Sequence, residues 1–268
     1  MLEVFLIGTL LMVFVFFATW LLCLRLKNYG FVDVAFSYGM TLLAPLYAWS
    51  GTGTLERKLV FTGVGLAWSL RLGTYLLVRV AGHHPKEDSR YEALRERWSG
   101  PWMFLLFFEM QAVLVVIFSL PFLFSAFNPA PELRVSEMVG LAVAGLALLG
   151  ESLADIQMQR FKRNPANSGE VCQVGLWNYS RHPNYFFESM IWWGLALAAL
   201  SSPSGWICVI CPLMMLYFLL RVTGIPLTEE YAIKRRGERY REYQRTTSAF
   251  VPWFKKTGAD SQTKVAKS

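Results

Sequence analysis

The fourteen residues Gly175-Leu176-Trp177-Asn178-Tyr179-Ser180-Arg181-His182-Pro183-Asn184-Tyr185-Phe186-Phe187-Glu188 gather hydrogen-bonding and ionisable groups in a chain that is otherwise mostly apolar. A glycine turn leads into an aromatic and cationic cluster, and Pro183 suits the first position of a helix. A helix starting there presents unpaired backbone N–H groups beside Arg181, a natural seat for an anion. Asn184 and Glu188 then stand four residues apart, on one face of that helix. A second set of residues is marked by where it lies. Asp33, Arg71, Glu109, Glu151, Asp155, Glu188 and Arg221 fall within or at the ends of apolar runs, where an ionisable group is costly unless paired or wetted. These seven groups predict a polar cavity between helices, open to the cytoplasm.

The elements that must position these groups follow from composition. The chain has 268 residues, 54% hydrophobic and 17% charged, against about 45–50% and about 25% in a soluble domain. The apolar residues form long runs, which excludes a soluble globular enzyme and a disordered chain. Cys23, Cys172, Cys208 and Cys211 include one C-x-x-C pair, but it lies in an apolar run with no second cluster, so the cysteines read as buried structure. His83 and His84 lack a third ligand, and no metal site is expected. At roughly 20 apolar residues per crossing, about seven transmembrane helices are predicted, near 2–24, 30–49, 59–80, 102–124, 137–158, 184–200 and 204–222. The fold class is thus all-α, a polytopic helical bundle. Residues 1–256 form one transmembrane domain with its loops and C-terminal segment, and 257–268 a polar, disordered tail. Segment 86–99 carries Tyr91, Leu94 and Trp98 at helical spacing and reads as an interfacial helix.

Lysine and arginine set the orientation. With the N-terminus outside, the loops and tail on the cytoplasmic side carry twenty-two of them and the opposite loops three, Arg57, Lys58 and Arg134. A basic cytoplasmic face attracts anionic headgroups and would equally serve a phosphate-bearing cofactor. No nucleic-acid module accompanies the charge, so nucleic acid is not an expected partner. Oligomeric state is not encoded in any recognisable motif.

Further short motifs recur in order along the chain. They are Val32-Asp33-Val34-Ala35, Trp68-Ser69-Leu70-Arg71-Leu72-Gly73 with Tyr75, Ala154-Asp155-Ile156-Gln157, Arg181-His182-Pro183-Asn184-Tyr185, Arg236-Gly237-Glu238-Arg239-Tyr240 with Tyr243, and Phe250-Val251-Pro252. In this set the chain resembles a bacterial member of the steroid 5-alpha-reductase superfamily, a group related also to sterol reductases and isoprenylcysteine carboxyl methyltransferases. The resemblance implies a seven-helix bundle in a bacterial inner membrane. It also implies NADPH-dependent reduction of a carbon–carbon double bond conjugated to a carbonyl, in a steroid-like, enone or enoyl lipid. Carried over residue by residue, it places Asp155, Asn184 and Glu188 against the cofactor, with Arg181, His182 and Tyr185 in the same block. Lys162, or Arg160 in its stead, lies towards its phosphates, and Arg236, Tyr240 and Tyr243 in the tail that folds over it; Asn164 is a cofactor candidate by its position in the cytoplasmic loop alone. The steroid enzymes polarise the substrate carbonyl with Glu in the second span and Tyr in the third, and here those positions hold Asp33 and Trp68. Asp33, Tyr75 and Arg71 are the expected catalytic set, with Trp68, Tyr38, Glu109 and Gln111 around the substrate. The Arg-His-Pro block and Glu229-Glu230 ahead of a Gly-x-x-Tyr-x-x-Tyr tail also suit an S-adenosylmethionine-dependent methyltransferase of a lipid or prenylated thiol. A non-catalytic membrane protein that retains the fold is the third reading.

The orientation is directly testable. A cysteine introduced by Thr54→Cys should be labelled by an impermeant reagent from the outer side alone, because it lies in a loop on the lysine- and arginine-poor face. Labelling from the cytoplasmic side alone reverses the topology.

Overall fold

The structure is a computed structural model that describes residues 1–98 and 100–255; the polar tail expected over 257–268 lies outside the described residues. It is helical throughout: α1 (Leu2–Leu26), α2 (Phe31–Ser50), α3 (Leu55–His83), α4 (Ser89–Arg97), α5 (Pro101–Phe118), α6 (Leu120–Ala126), α7 (Val135–Arg163), α8 (Pro183–Ala199), α9 (Ile210–Tyr217), α10 (Ile225–Arg236) and α11 (Glu238–Thr246). Among the described residues, six helical stretches are long and apolar enough to cross a membrane: α1, α2, α3, α5 with α6, α7, and Gly205–Arg236. The protein is a polytopic helical membrane bundle. The seventh stretch, expected over 184–200, is α8. At 17 residues it lies at the short end of the length that crosses a bilayer core, since Pro183 opens it and a Ser-Ser-Pro turn follows it.

The chain divides into two compact units, Met1–Leu141 with Ala196–Cys208, and Ala142–Leu195 with Val209–Ser268. In the first, α1 packs on α5 and α2, and α2 on α3. Small residues let these helices approach, as helices do in lipid. A Cβ on Gly73 would lie 2.8 Å from the ring of Tyr38, and one on Gly39 2.7 Å from Val115. The span expected over 102–124 breaks at Ser119, where Pro121 starts the short α6 and removes an N–H from the helical ladder. The expected interfacial helix is α4. Its ring-bearing face is taken up by protein: Tyr91 is buried, and Trp98 packs on Phe104 and Phe107.

In the second unit, Gln157 on α7 positions the turn that precedes α8. Its Oε1 accepts the Leu176 N–H at 2.9 Å. Gly175 sits against the same side chain at φ 55°, where a Cβ would come within 2.2 Å of Nε2. Trp177 completes the attachment by donating its indole N–H to the Ala154 carbonyl at 2.9 Å. Later in the unit, the helix after α9 widens into a π-helical turn, Phe218–Val222. It ends at Thr223-Gly224, and Pro226 in the first turn of α10 restarts the chain.

Arg57 was read from sequence as a loop charge; it is fully buried in the first turns of α3 and pairs with the equally buried Glu137. Its Nε donates to Glu137 Oε1 at 2.6 Å, Nη1 to the Ala130 carbonyl at 2.7 Å, and Nη2 to the Glu132 carbonyl at 2.5 Å. Glu137 also accepts the Arg134 N–H at 2.8 Å. One ion pair therefore fastens the 128–134 loop to the start of both α3 and α7. Breaking such a buried pair from one side costs roughly 3–5 kcal/mol, whereas replacing both partners by apolar groups is far milder. Glu137→Ala should accordingly lower the detergent melting temperature sharply, and the double variant Arg57→Met with Glu137→Leu should recover most of the loss. Equal melting of the single variant and the parent would show that the pair contributes nothing.

Candidate functional site

Glu229, on α10, stands at the centre of the densest polar cluster of the second unit. Its Oε1 accepts from Arg181 Nε at 2.6 Å, faces His182 Nε2 at 3.2 Å and receives the Tyr240 hydroxyl at 3.4 Å. Its Oε2 accepts from the Gln244 side-chain amide at 2.7 Å. Arg181 Nη1 donates to the carbonyls that close α11, Gln244 at 3.1 Å and Thr247 at 2.5 Å. The Arg-His dipeptide is thus held by α10 and α11 together. A charge-assisted pair of this kind is worth more where water is scarce. Side-chain exposure here is 10% for Arg181 and 13% for Glu229.

The chain after α11 returns along the same corner. Ser248 forms a parallel bridge with Ser180, and its carbonyl accepts the Arg181 N–H at 2.8 Å. The Ser180 hydroxyl donates to the Phe250 carbonyl at 2.8 Å and accepts the His182 N–H at 3.1 Å. Trp253 N–H reaches the Tyr179 carbonyl at 2.9 Å. Tyr243 is buried beneath the corner, with its hydroxyl donating to the carbonyls of Trp177 and Ser180. The tail tyrosines that the sequence pointed to are therefore structural partners of the Arg-His-Pro block, with Ala232 and Val171 packed around them.

Burial pushes the His182 imidazole below its usual range, against the upward pull of its hydrogen bond to Glu229. His182 is neutral at pH 7 as a result, and its ring stacks on Tyr185 at 5.2 Å. Burial likewise raises the Tyr240 and Tyr243 hydroxyls, and nearby negative charge adds to the effect. Both remain protonated donors.

The other expected cofactor residues surround this corner in the sequence and occupy varied environments. Asn184 is half-buried in the first turn of α8, and Tyr185 meets Thr228 Oγ1 at 3.2 Å. Glu188 is buried and accepts the Trp192 indole N–H at 2.9 Å. Asp155 is half-buried on α7, while Arg160 and Lys162 are exposed on its last turns. Asn164 caps the short turn that follows by accepting the Ala166 N–H at 3.1 Å. Arg236 donates to the Glu170 carbonyl at 2.8 Å. Glu229 and Gln244 were missed as site residues. Glu229 had a signal in the Glu-Glu pair ahead of the tyrosines; its neighbour Glu230 pairs with Lys234 at the surface.

The residues expected to act on substrate lie in the first unit. Asp33, in the first turn of α2, accepts the Tyr91 hydroxyl at 2.6 Å and Arg90 Nη2 at 2.8 Å. Arg90 also holds Asp88, which takes Arg79 at 2.6 Å. Burial raises the Tyr91 hydroxyl, as does the charge of Asp33. For Arg90, burial works downward, but the Asp33 and Asp88 carboxylates outweigh it and keep the guanidinium charged. Tyr91 and Arg90 are additions to the expected set. Trp68 is buried, Arg71 half-buried and Tyr75 exposed on α3. Tyr38 shares a hydrogen bond of 2.9 Å with Thr74. Glu109 and Gln111 are half-buried on α5, and Glu109 Oε2 has no hydrogen-bond partner among the described residues.

Comparison with known proteins adds three findings. One relative is "Probable O-methyltransferase ustE" of Ustilaginoidea virens, 31% identical over 96 residues, or 36% of this chain and 32% of the relative. The match thus spans about a third of that protein's length. No solved structure matches the chain. The family described as "Protein of unknown function (DUF1295)" matches residues 19–247, which takes in the Asp33 cluster, the Arg-His-Pro corner and α10 and α11 that clamp it. The chain belongs to the DUF1295 family.

Proposed function

We propose that this protein is an integral membrane reductase that uses NADPH to reduce a carbon–carbon double bond conjugated to a carbonyl in a lipid-like substrate. The observation that carries the reading is the start of α8, where half-buried Asn184 and buried Glu188 follow directly on the clamped Arg181-His182 corner. That donor set suits a dinucleotide. An Asn amide offers donors and an acceptor to a carboxamide or ribose, and a carboxylate accepts from hydroxyls. Asn184, Tyr185, Glu188 and Asp155 would hold those groups. Arg160, Lys162 and Arg236, with Asn164, would face the phosphates. Arg181, His182, Tyr240 and Tyr243 act by fixing the corner on which the others are mounted. NADPH supplies a hydride when bound.

For the substrate oxygen, a donor within hydrogen-bond reach must meet the negative charge that develops there. In the first unit Asp33 keeps the proton-bearing hydroxyl of Tyr91 in place. Asp33 is proposed to act on the carbonyl with Tyr75 and Arg71, and Trp68, Tyr38, Glu109 and Gln111 to line the pocket. The superfamily resemblance and membership of DUF1295 both support this assignment. The N-terminus is placed outside and the C-terminus in the cytoplasm, where NADPH is supplied.

A second reading, methyl transfer from S-adenosylmethionine, is favoured by two observations. The Arg-His-Pro block is clamped by Glu229 of the Glu-Glu pair ahead of the tail tyrosines, and the fungal relative carries the name of an O-methyltransferase.

Thermal shifts of the detergent-purified chain separate the readings, because a ligand that binds the folded state alone raises its stability. NADPH should stabilise the protein and S-adenosylmethionine should not. Asn184→Ala and Glu188→Ala should each weaken NADPH binding about 5- to 150-fold, the equivalent of roughly 1–3 kcal/mol for a lost buried hydrogen bond. Stabilisation by S-adenosylmethionine alone would install the second reading, and by neither ligand a non-catalytic role.

The clamp also carries a pH signature. His182 has a depressed folded-state value, so the unfolded chain takes up the proton first. Its contribution to stability is complete above about pH 6.5 and is lost as pH falls below that. The melting temperature should drop between pH 7.5 and 5, and the drop should be smaller in His182→Asn. An identical decline in both proteins would remove His182 from the account.

A further inference from the structure

Away from this chemistry, the first unit contains a cavity of about 400 Å³ between two connections. One wall is Asn128, Pro129, Ala130 and Arg134, and the other is Leu200–Pro203. The first wall is rigid because Arg57 ties down the carbonyls of Ala130 and Glu132, and because Asn128 accepts the Ala130 N–H at 3.1 Å. Asn128 also joins the walls, donating to Ser201 Oγ at 2.9 Å. The Ser201 and Ser202 hydroxyls keep unspent donors. Ser201 keeps its hydroxyl hydrogen, since its oxygen is the acceptor in that bond. Ser202 is 6% exposed, and its Oγ has no hydrogen-bond partner among the described residues. A serine hydroxyl turns to a new acceptor by one χ1 rotation.

Charge points the same way. Glu137, which accepts the Arg134 N–H at 2.8 Å, is neutralised by Arg57. Among the described residues, the exposed Arg134 guanidinium has no carboxylate partner. The cavity lies where α6 ends, α7 begins and α8 ends, at the level where spans leave the hydrocarbon core. Trp206, 70% exposed, follows the second wall, and Trp49, 91% exposed, precedes the Gly51–Gly53 turn that bonds to the Ala126 carbonyl at the end of α6. Exposed tryptophans of this kind mark the headgroup layer.

We infer that this cavity is a phosphate site, in which Arg134 supplies the charge and the Ser201 and Ser202 hydroxyls the hydrogen bonds to a phosphate oxyanion. The phosphate comes either from a phospholipid headgroup or from solution, and the site is independent of the reductase reading. The test is a native mass-spectrometric titration of the full chain in maltoside detergent with phosphatidylglycerol, with diacylglycerol, which has the same tails and no phosphate, and with inorganic phosphate. Phosphatidylglycerol should bind and diacylglycerol should not. Arg134→Gln should weaken binding about tenfold or more and Ser202→Ala less, as expected for hydrogen bonds to a charged group, with unchanged melting temperatures. Arg134→Lys should restore part of the affinity, which separates charge from folding. Binding of inorganic phosphate alone, lost in the same variants, also supports the site and assigns its ligand to solution. Phosphatidylglycerol and phosphate binding that both variants leave unchanged, or diacylglycerol binding as tight as phosphatidylglycerol, would overturn it.

Discussion

An ionised side chain inside so apolar a chain persists where another group neutralises it and further donors satisfy it. That constraint organises the molecule. Four of the buried or half-buried carboxylates are also joints between segments far apart in sequence. Glu137 joins the starts of α3 and α7 through Arg57. Glu229 joins the Arg-His corner to α10 and α11. Asp33 joins α2 to α4 through Tyr91 and Arg90, and Glu87 joins the α1–α2 connection to α4 through the Tyr29 N–H and Arg95. In lipid, apolar packing alone discriminates weakly between alternative helix arrangements, because the tails are as apolar as the side chains. Polar joints supply the missing specificity.

The joints differ in how closed they are. The Arg57–Glu137 pair is fully buried, and four of the acceptors around Arg57 are oxygens of one loop or of Thr54. Nothing is left for a ligand to exchange with, which marks it as architecture. The Arg181–Glu229 pair keeps some exposure, and a stacked His182–Tyr185 pair and the half-buried Asn184 stand next to it in the chain. A group bound there would meet side chains whose orientations are already fixed, so little ordering would remain to oppose binding.

The fold class was legible from composition and run length, because a bilayer core leaves a polytopic chain few ways to satisfy its backbone. The helical boundaries around Pro183 and in α4 were legible for the same local reasons. What eluded the sequence was pairing. Arg57 and Glu137 are eighty residues apart, and each reads alone as an ordinary charge at a helix start. Tyr91 has the spacing of a lipid-facing residue on an amphipathic helix, and the aspartate that takes its hydroxyl lies 58 residues earlier. Glu229 was visible as half of an acidic pair, yet nothing local shows that it, rather than Glu230, turns inward. Short patterns record helical phase and turn chemistry; contacts across tens of residues leave no such record.

The route of the chain through the Arg-His corner sets an order of events during synthesis. Arg181 is made 48 residues before Glu229 and 66 before Thr247, whose side chain and carbonyl are its acceptors. At roughly 5–20 residues per second, the ribosome takes some seconds to deliver them. In that interval the guanidinium stays hydrated, and the apolar stretch that begins at Gly205 must enter the bilayer first. The corner therefore cannot close until the chain has been made through Thr247, beyond the end of that stretch.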